Sequence, residues 1–264
     1  MLIAQLSDPH VRPDGRLYQD VVDSNAQLAA AIAQVNALDP RPDVVLLSGD
    51  LVEKGTPAEY AKLGELLAGL AIPALVIPGN HDDREAFRDA FRSHDYLPAA
   101  GPMHYVADGG PVRIVALDVT LPGLHHGAVD PAAARWLDAT LAAAPVRPTV
   151  IMMHQPPFDT GVPYLDLYSC REGVRLAEVV ARHAQVERIV CGHVHRFMML
   201  RFGGTVLCTA PSTTTAIALR LRPDAEPASH VEPPAFLLHH WRPHTGLVTH
   251  FMPVGNFPGP YPFA

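Results

Sequence analysis

The feature that most constrains this chain is a set of short apolar runs, each of which stops at a polar loop. Leu2–Leu6, Val44–Leu47, Ala74–Ile77, Thr149–Met153 and Arg188–Cys191 are four or five residues long, the length of strands rather than helices. Continuous apolar runs of this kind suit a sheet covered on both faces. Helical patterns lie between the first three. Leu28, Ile32 and Val35 fall at helical intervals within Asn25–Leu38, which Asp39-Pro40 stops. Thr56-Pro57-Ala58-Glu59 reads as an N-cap, a proline in the first turn and a glutamate three residues after the cap, so a helix to about Leu70 is expected. The order β-α-β-α-β is α/β architecture, in which ligands bind beyond the carboxyl ends of the strands.

The second half repeats the theme. Val112–Leu117 reads as a strand leading to Asp118, Asp130-Pro131 as the start of a helix carrying Trp136, Leu137 and Leu141, and Gly173–His183 as a further helix. Met198–Ala210 is expected to be a hairpin turning at Gly203-Gly204. After Pro211 proline becomes frequent, and Phe236–Trp241 and Leu247–Val254 suggest an antiparallel pair. The expectation is one domain over 1–264, with a core to about 210. Residues 211–264 would be a β extension of the sheet, a cap or a dimerisation element.

The loops after the strands carry a consistent chemistry. They present Asp8 and His10, Asp50, Asn80 with His81, His154, and His193 with His195. Carboxylate, imidazole and amide oxygen together suit hard-to-borderline divalent cations. Asp8 and His10 are two apart, as are His193 and His195, so an extended segment can aim both members of a pair to one side. Gly49, Gly79 and Gly192 adjoin these positions, where a chain must turn sharply or approach an ion closely. Seven donors exceed the needs of one ion and match two that share a carboxylate, an arrangement that can grip an in-line phosphoryl transfer from both sides.

Charge and cysteine content exclude other classes. Lys plus Arg number 20 against 27 Asp plus Glu, a net charge of −7, so a nucleic-acid polymer or an anionic membrane is not the expected partner. Cys170, Cys191 and Cys208 are too few and too scattered for a disulfide framework or a thiolate zinc site. The first residues lack the basic segment of a secretory signal, and no run is long enough to span a membrane; a cytoplasmic protein is expected.

In order along the chain, Asp8-Pro9-His10, Gly49-Asp50, Gly79-Asn80-His81-Asp82, His154 and Gly192-His193-Val194-His195 resemble the motif set of the calcineurin-like metallophosphoesterases. The stretch Gly79–Arg84 and the early Leu17-Tyr18 are most similar to the bacterial class III cyclic-nucleotide phosphodiesterases and glycerophosphodiesterases of that family. The resemblance implies a four-layer αββα sandwich with a dimetal site at the strand ends. It implies that Asp8, His10 and His195 hold one ion, that Asn80, His154 and His193 hold the other, and that Asp50 bridges them. His81 would stabilise the transition-state charge and protonate the leaving oxygen, with Asp82 beside it as the second catalytic residue, orienting His81. The implied activity is hydrolysis of small phosphodiesters (cyclic nucleotides, glycerophosphodiesters) by attack of a metal-bridging hydroxide, with Fe, Mn, Zn or Co as the ions. A phosphomonoesterase and a non-catalytic protein-binding scaffold on the same fold are the alternatives.

Among the remaining residues, His125 and His126 are the candidates for substrate contact. Asp118 reads as fixing a loop, Arg84 as a surface arginine at a helix start and Cys170 as unreactive. The loops are short and offer no dedicated nucleobase pocket, so broad specificity is expected. The apolar tail, with Phe236-Leu237-Leu238 and Phe251-Met252, is the expected basis of a homo-oligomer, a dimer or higher.

Overall fold

The computed structural model describes residues 1–263. The first half of the chain runs β1 (Leu2–Leu6), α1 (Ser24–Asn36), β2 (Val44–Ser48), α2 (Pro57–Leu67), β3 (Ala74–Ile77), α3 (Arg84–Ala90), β4 (Tyr105–Ala107), β5 (Arg113–Ala116) and α4 (Pro131–Ala142). It continues through β6 (Thr149–Met152), α5 (Pro163–Asp166), α6 (Gly173–Val180), β7 (Val186–Cys191), β8 (Met198–Phe202) and β9 (Thr205–Thr209). The short pair β10 (Ala216–Ile217) and β11 (Ser229–His230) and the long hairpin β12 (Ala235–Arg242) and β13 (Gly246–Pro253) complete it.

Alternation of side chains along the strands builds the layers. Ala4 and Leu6 of β1 face α1, α2 and α3, where they meet Leu28, Ile32, Leu63 and Phe87. Ile3 points the other way, into a seam shared with Leu46, Ile114, Val150, Met152 and Val190. On the second sheet Val115, Ile151 and Ile189 face α4 and α6 through Leu137, Leu141 and Leu176. The result is helix, sheet, sheet, helix. The first sheet has the order β13-β12-β1-β2-β3 and the second β4-β5-β6-β7-β9-β8. Within them β1, β2 and β3 are mutually parallel, as are β5, β6, β7 and β9. The carboxyl ends of β1, β2, β3, β6 and β7 therefore open on one rim of the sandwich.

Local chemistry places the ends of the helices. Thr56 accepts from Glu59 N while Glu59 Oε2 accepts from Thr56 N, a capping box with Pro57 behind it. Asp130 caps α4 by accepting from Ala132 N and Ala133 N. The hairpin at Gly203-Gly204 forms as expected. The C-terminal hairpin joins the first sheet, with β12 antiparallel to β1. The helices end earlier than the apolar spacing suggested, α1 at Asn36, α2 at Leu67 and α6 at Val180. β4 and α5 were not expected, being too short to establish a period, and α3 was expected only through its start at Arg84.

Candidate metal centre

Each functional side chain sits two to four residues past the end of its strand, and the backbone there is unusual. Asp8, His10, Asp50, His193 and His195 all have positive φ, between 42° and 71°. A left-handed conformation at a residue with a Cβ costs on the order of 1–2 kcal/mol. Neighbouring loops hold it in place. Asp8 N donates to Gly49 O at 3.1 Å, His10 N to Asp50 O at 3.1 Å and Val11 N to Leu51 O at 3.0 Å, zipping the β1 and β2 loops together. His193 N donates to both carboxylate oxygens of Asp8, at 3.0 and 3.1 Å, and ties in the loop after β7. Two glycines permit the close approach. A Cβ on Gly79 would overlap the Asp50 carboxylate, and one on Gly192 would overlap Ser7 Oγ and crowd Asp8.

The donor atoms form two groups. Those of Asp8, His10 and His195 lie within 4.8 Å of one another, and those of Asp50, His154 and His193 do the same. Asp50 reaches both: its Oδ2 is 3.2 Å from His154 Nε2 and 3.8 Å from His10 Nε2. Asp8 Oδ1 is 3.5 Å from His195 Nε2. Asn80 joins through its amide, whose Nδ2 lies 3.2 Å from His125 Nδ1 while Oδ1 is buried without a hydrogen-bond partner among the described residues.

The surroundings of the histidines show what these atoms fit. His154 Nδ1 donates to Ser48 O at 2.7 Å and His195 Nδ1 to Thr215 O at 2.9 Å; a carbonyl can only accept, so each ring keeps its proton on Nδ1. His10 Nδ1 meets the Glu53 carboxylate at 2.8 Å, with the same consequence. The Nε2 lone pairs are left bare and converge. Those of His154 and His193 have no hydrogen-bond partner among the described residues, and those of His10 and His195 face each other at 3.1 Å. Lone pairs directed at one another between two buried carboxylates are repulsive without a cation. The donor set fits a divalent metal centre.

Electrostatics point the same way. Burial raises the Asp50 carboxyl, but the His154 and His81 charges outweigh it and hold it well below the usual range. Asp8 is lowered in the same manner, chiefly by His195 against the cost of burial. Burial opposes a charge on His154, yet Asp50 and then Asp8 raise it to about 9, so a positive charge is favoured at that point. Burial, with His154 second, drives His193 down to about 3, which keeps its ring neutral.

His81 stands at the edge of this group. Its backbone N donates to Asp50 Oδ1 at 2.9 Å and its Nδ1 to Glu53 O at 2.9 Å, which leaves Nε2 free on the cavity side. Burial opposes its charge, but Asp50 and Glu53 outweigh burial and raise it. Asp82, expected to orient His81, makes no hydrogen bond to it among the described residues. Asp82 Oδ2 accepts from Gly79 N at 2.8 Å and Leu51 N at 3.0 Å, and Oδ1 from Tyr60 Oη at 2.9 Å. Oδ2 pins the loops of Asp50 and Asn80 and Oδ1 ties them to α2, while Glu53 O holds His81 Nδ1. Glu53 carries no signal in the sequence, because a glutamate near a helix start is usually solvated. Tyr18, stacked on His10 at 4.5 Å, becomes visible as a wall of the site only through the fold.

His125 lines the cavity over the centre and holds Asn80, whereas His126 is outside that lining. Asp118 fixes loops as read, accepting from Met103 N and Thr120 N. Arg84 is less free than expected, since it bridges Asp118 and Thr120. Cys170 is buried and its thiol pushed up to about 12 by that burial, which removes it as a nucleophile.

The chain is similar to known proteins. A probable glycerophosphodiester phosphodiesterase GpdQ of Arcobacter nitrofigilis is 34% identical over 264 residues, covering 100% of this chain and 97% of its own. A cAMP/cGMP dual specificity phosphodiesterase of Mycobacterium tuberculosis is 32% identical over 217 residues, 80% of this chain and 67% of its own. The crystal structure of a dimetal phosphatase from Danio rerio superimposes with a TM-score of 0.64 at 14% identity over 97% of this chain and 99% of that one, which speaks to the fold. The family profile described as calcineurin-like phosphoesterase matches residues 1–197, the span from β1 through the last of the converging histidines. A divalent metal centre built on the ends of parallel strands, in that sequence span and on that fold, makes this chain a member of the calcineurin-like phosphoesterase family.

Proposed function

We propose that this enzyme hydrolyses small phosphodiesters, cyclic nucleotides and glycerophosphodiesters among them, at a pair of divalent cations. Asp8, His10 and His195 would hold one ion, Asn80, His154 and His193 the other, with Asp50 between them. The observation that carries this reading is the convergence of four Nε2 atoms, three of which belong to rings, His10, His154 and His195, whose Nδ1 protons are committed elsewhere. The relatives named as phosphodiesterases support the reaction class. When bound, such ions neutralise charge on the phosphoryl oxygens and make water acidic enough to attack at neutral pH. His81, held by Glu53 O, presents Nε2 to the substrate and gives its proton to the departing alkoxide as the P–O bond breaks. Asp82 serves as a positioning residue, fixing the loops that carry Asp50 and Asn80. Fe, Mn, Zn and Co all suit the mixed donors.

No helix among the described residues is long and apolar enough to cross a membrane. A cytoplasmic location and a dimer or higher assembly belong to the same reading, the latter supported by Val248 and Phe251 exposed on the edge strand β13. Light scattering would measure the mass directly. The function itself is tested with a panel of 3′,5′- and 2′,3′-cyclic AMP, glycerophosphodiesters and aryl phosphates, each with Mn or Zn and with chelator. Chelator-sensitive release of a monoester is expected; turnover of monoesters alone would establish the phosphomonoesterase instead.

A further inference from the structure

A cavity of about 290 Å³ stands over the metal centre, and its walls differ in kind. One side is the donor set itself. The other is aromatic and apolar, made by Tyr164, Leu165, Tyr168, His125 and Ile217. None of the described residues lining it is a lysine or arginine. A substrate phosphate therefore has only the metal end to go to, and the far end is left for the leaving group.

The rings on that wall form a connected run outward from His81. His81 and His125 centroids are 5.9 Å apart, His125 and Tyr168 5.5 Å, and Tyr168 and Tyr164 5.2 Å. The Tyr168–Tyr164 contact is edge-to-face, at 74°, and Tyr164 remains 41% exposed. Tyr164 is thus open to a group entering the cavity, and aromatic rings of this kind offer a π face to a planar ligand.

The wall is also built to stay in place. Asp166 accepts from Thr160 N at 2.6 Å, from Thr160 Oγ1 at 2.7 Å and from Gly161 N at 3.2 Å, closing the loop ahead of α5. Leu165, between the two tyrosines, is buried against Val194. Val194 is the residue between His193 and His195, so the tyrosines are keyed to the same loop that supplies donors to the metal centre.

We infer that Tyr164 and Tyr168 are specificity-determining residues that stack on the nucleobase of a cyclic-nucleotide substrate whose phosphate sits at the metal end. This rests on the phosphodiesterase reading above and adds to it a preference for esters bearing a planar aromatic group. A ribose separates phosphorus from base, as His125 stands between His81 and the tyrosines along the run of rings. A glycerol arm has no π face and gains nothing from this wall. Stacking a base on an aromatic side chain contributes roughly tenfold or more in affinity.

The test isolates the base. AMP and ribose 5-phosphate differ only by adenine, and both are titrated calorimetrically into the metal-loaded protein. AMP is expected to bind about tenfold tighter, an advantage lost in Tyr164→Leu/Tyr168→Leu and kept in Tyr164→Phe/Tyr168→Phe. In parallel, the ratio of kcat/KM for 3′,5′-cyclic AMP to that for glycerophosphoethanolamine is expected to fall about tenfold in the Leu pair, through KM. The single exposed variant Tyr164→Leu gives a smaller shift in the same direction if the pair folds poorly. Equal affinity of AMP and ribose 5-phosphate in the wild type overturns the inference, as does a uniform loss on both esters. A selective loss on glycerophosphocholine would assign the wall to a quaternary ammonium and also overturn it. Wild-type protein inert on every ester would overturn the phosphodiesterase reading itself, a result distinct from turnover without base preference.

Discussion

His10 and His195 face each other through Nε2 atoms 3.1 Å apart, each with its Nδ1 proton turned outward, to the Glu53 carboxylate and to Thr215 O. Their shared lone-pair space suits a cation, which has a measurable energetic consequence. A cation that binds the folded chain alone stabilises it, by about 4 kcal/mol at a thousandfold excess over Kd. Thermal unfolding with Mn or Zn against chelator should show that gain, and His195→Ala should reduce it. Identical unfolding curves with and without metal would contradict the donor assignment.

His81→Ala is expected to lower kcat by roughly 10²- to 10⁴-fold, the range for loss of a general acid. Because its Nδ1 is spent on Glu53 O and it is the edge member of the group, metal content by elemental analysis should be retained. A variant that loses metal and activity together would instead make His81 a ligand.

Asp82→Ala strands two backbone N–H groups, Gly79 N and Leu51 N, along with the Tyr60 hydroxyl. Each unsatisfied buried donor costs about 1–3 kcal/mol, so a destabilisation of about 3 kcal/mol is expected in chemical denaturation. Asp82→Asn can keep the two backbone bonds through its oxygen and should recover most of that stability. If Asp82→Asn were as inactive as His81→Ala while fully stable, Asp82 would belong to the chemistry after all.

His239 provides a pH test away from the ligands. It is 1% exposed between the sheets, with Nδ1 2.8 Å from Thr249 Oγ1 and Nε2 3.1 Å from Gln5 Oε1. Burial, with the Arg188 charge second, lowers it to about 3. Between that value and the ordinary 6.5 of the unfolded chain, the unfolded state binds more protons. Its contribution is therefore present above about pH 6.5 and is lost on the order of 1 kcal/mol per pH unit as pH falls towards 3. His239→Gln should flatten stability against pH across that window in urea titrations; an unchanged slope would show that His239 is not buried neutral.

Much of the metal centre was legible because it is written in local pattern. Apolar runs such as Val44–Leu47 end beside Asp50 in a few residues, and Asp, His and Asn recur in those loops at fixed spacing. The helix caps at Thr56 and Asp130 are equally local. The contacts of Asp82 were not legible, because Leu51 N in another loop and Tyr60 Oη on α2 are brought to it only by the fold. Glu53 stayed invisible for the same reason, since its contacts with His10 and His81 exist only after two strands have paired.

The sequence by itself determined which segments become parallel strands and which donors cluster at their ends, because both follow from burial periodicity and loop composition along a few consecutive residues. Tertiary structure alone decided the insertion of β12 between β13 and β1, the orientation of each imidazole by a distant acceptor, and the wall of Tyr164 and Tyr168 over the centre. Those depend on pairings between residues far apart in the chain, where the energy of a contact is set by geometry that no local pattern encodes.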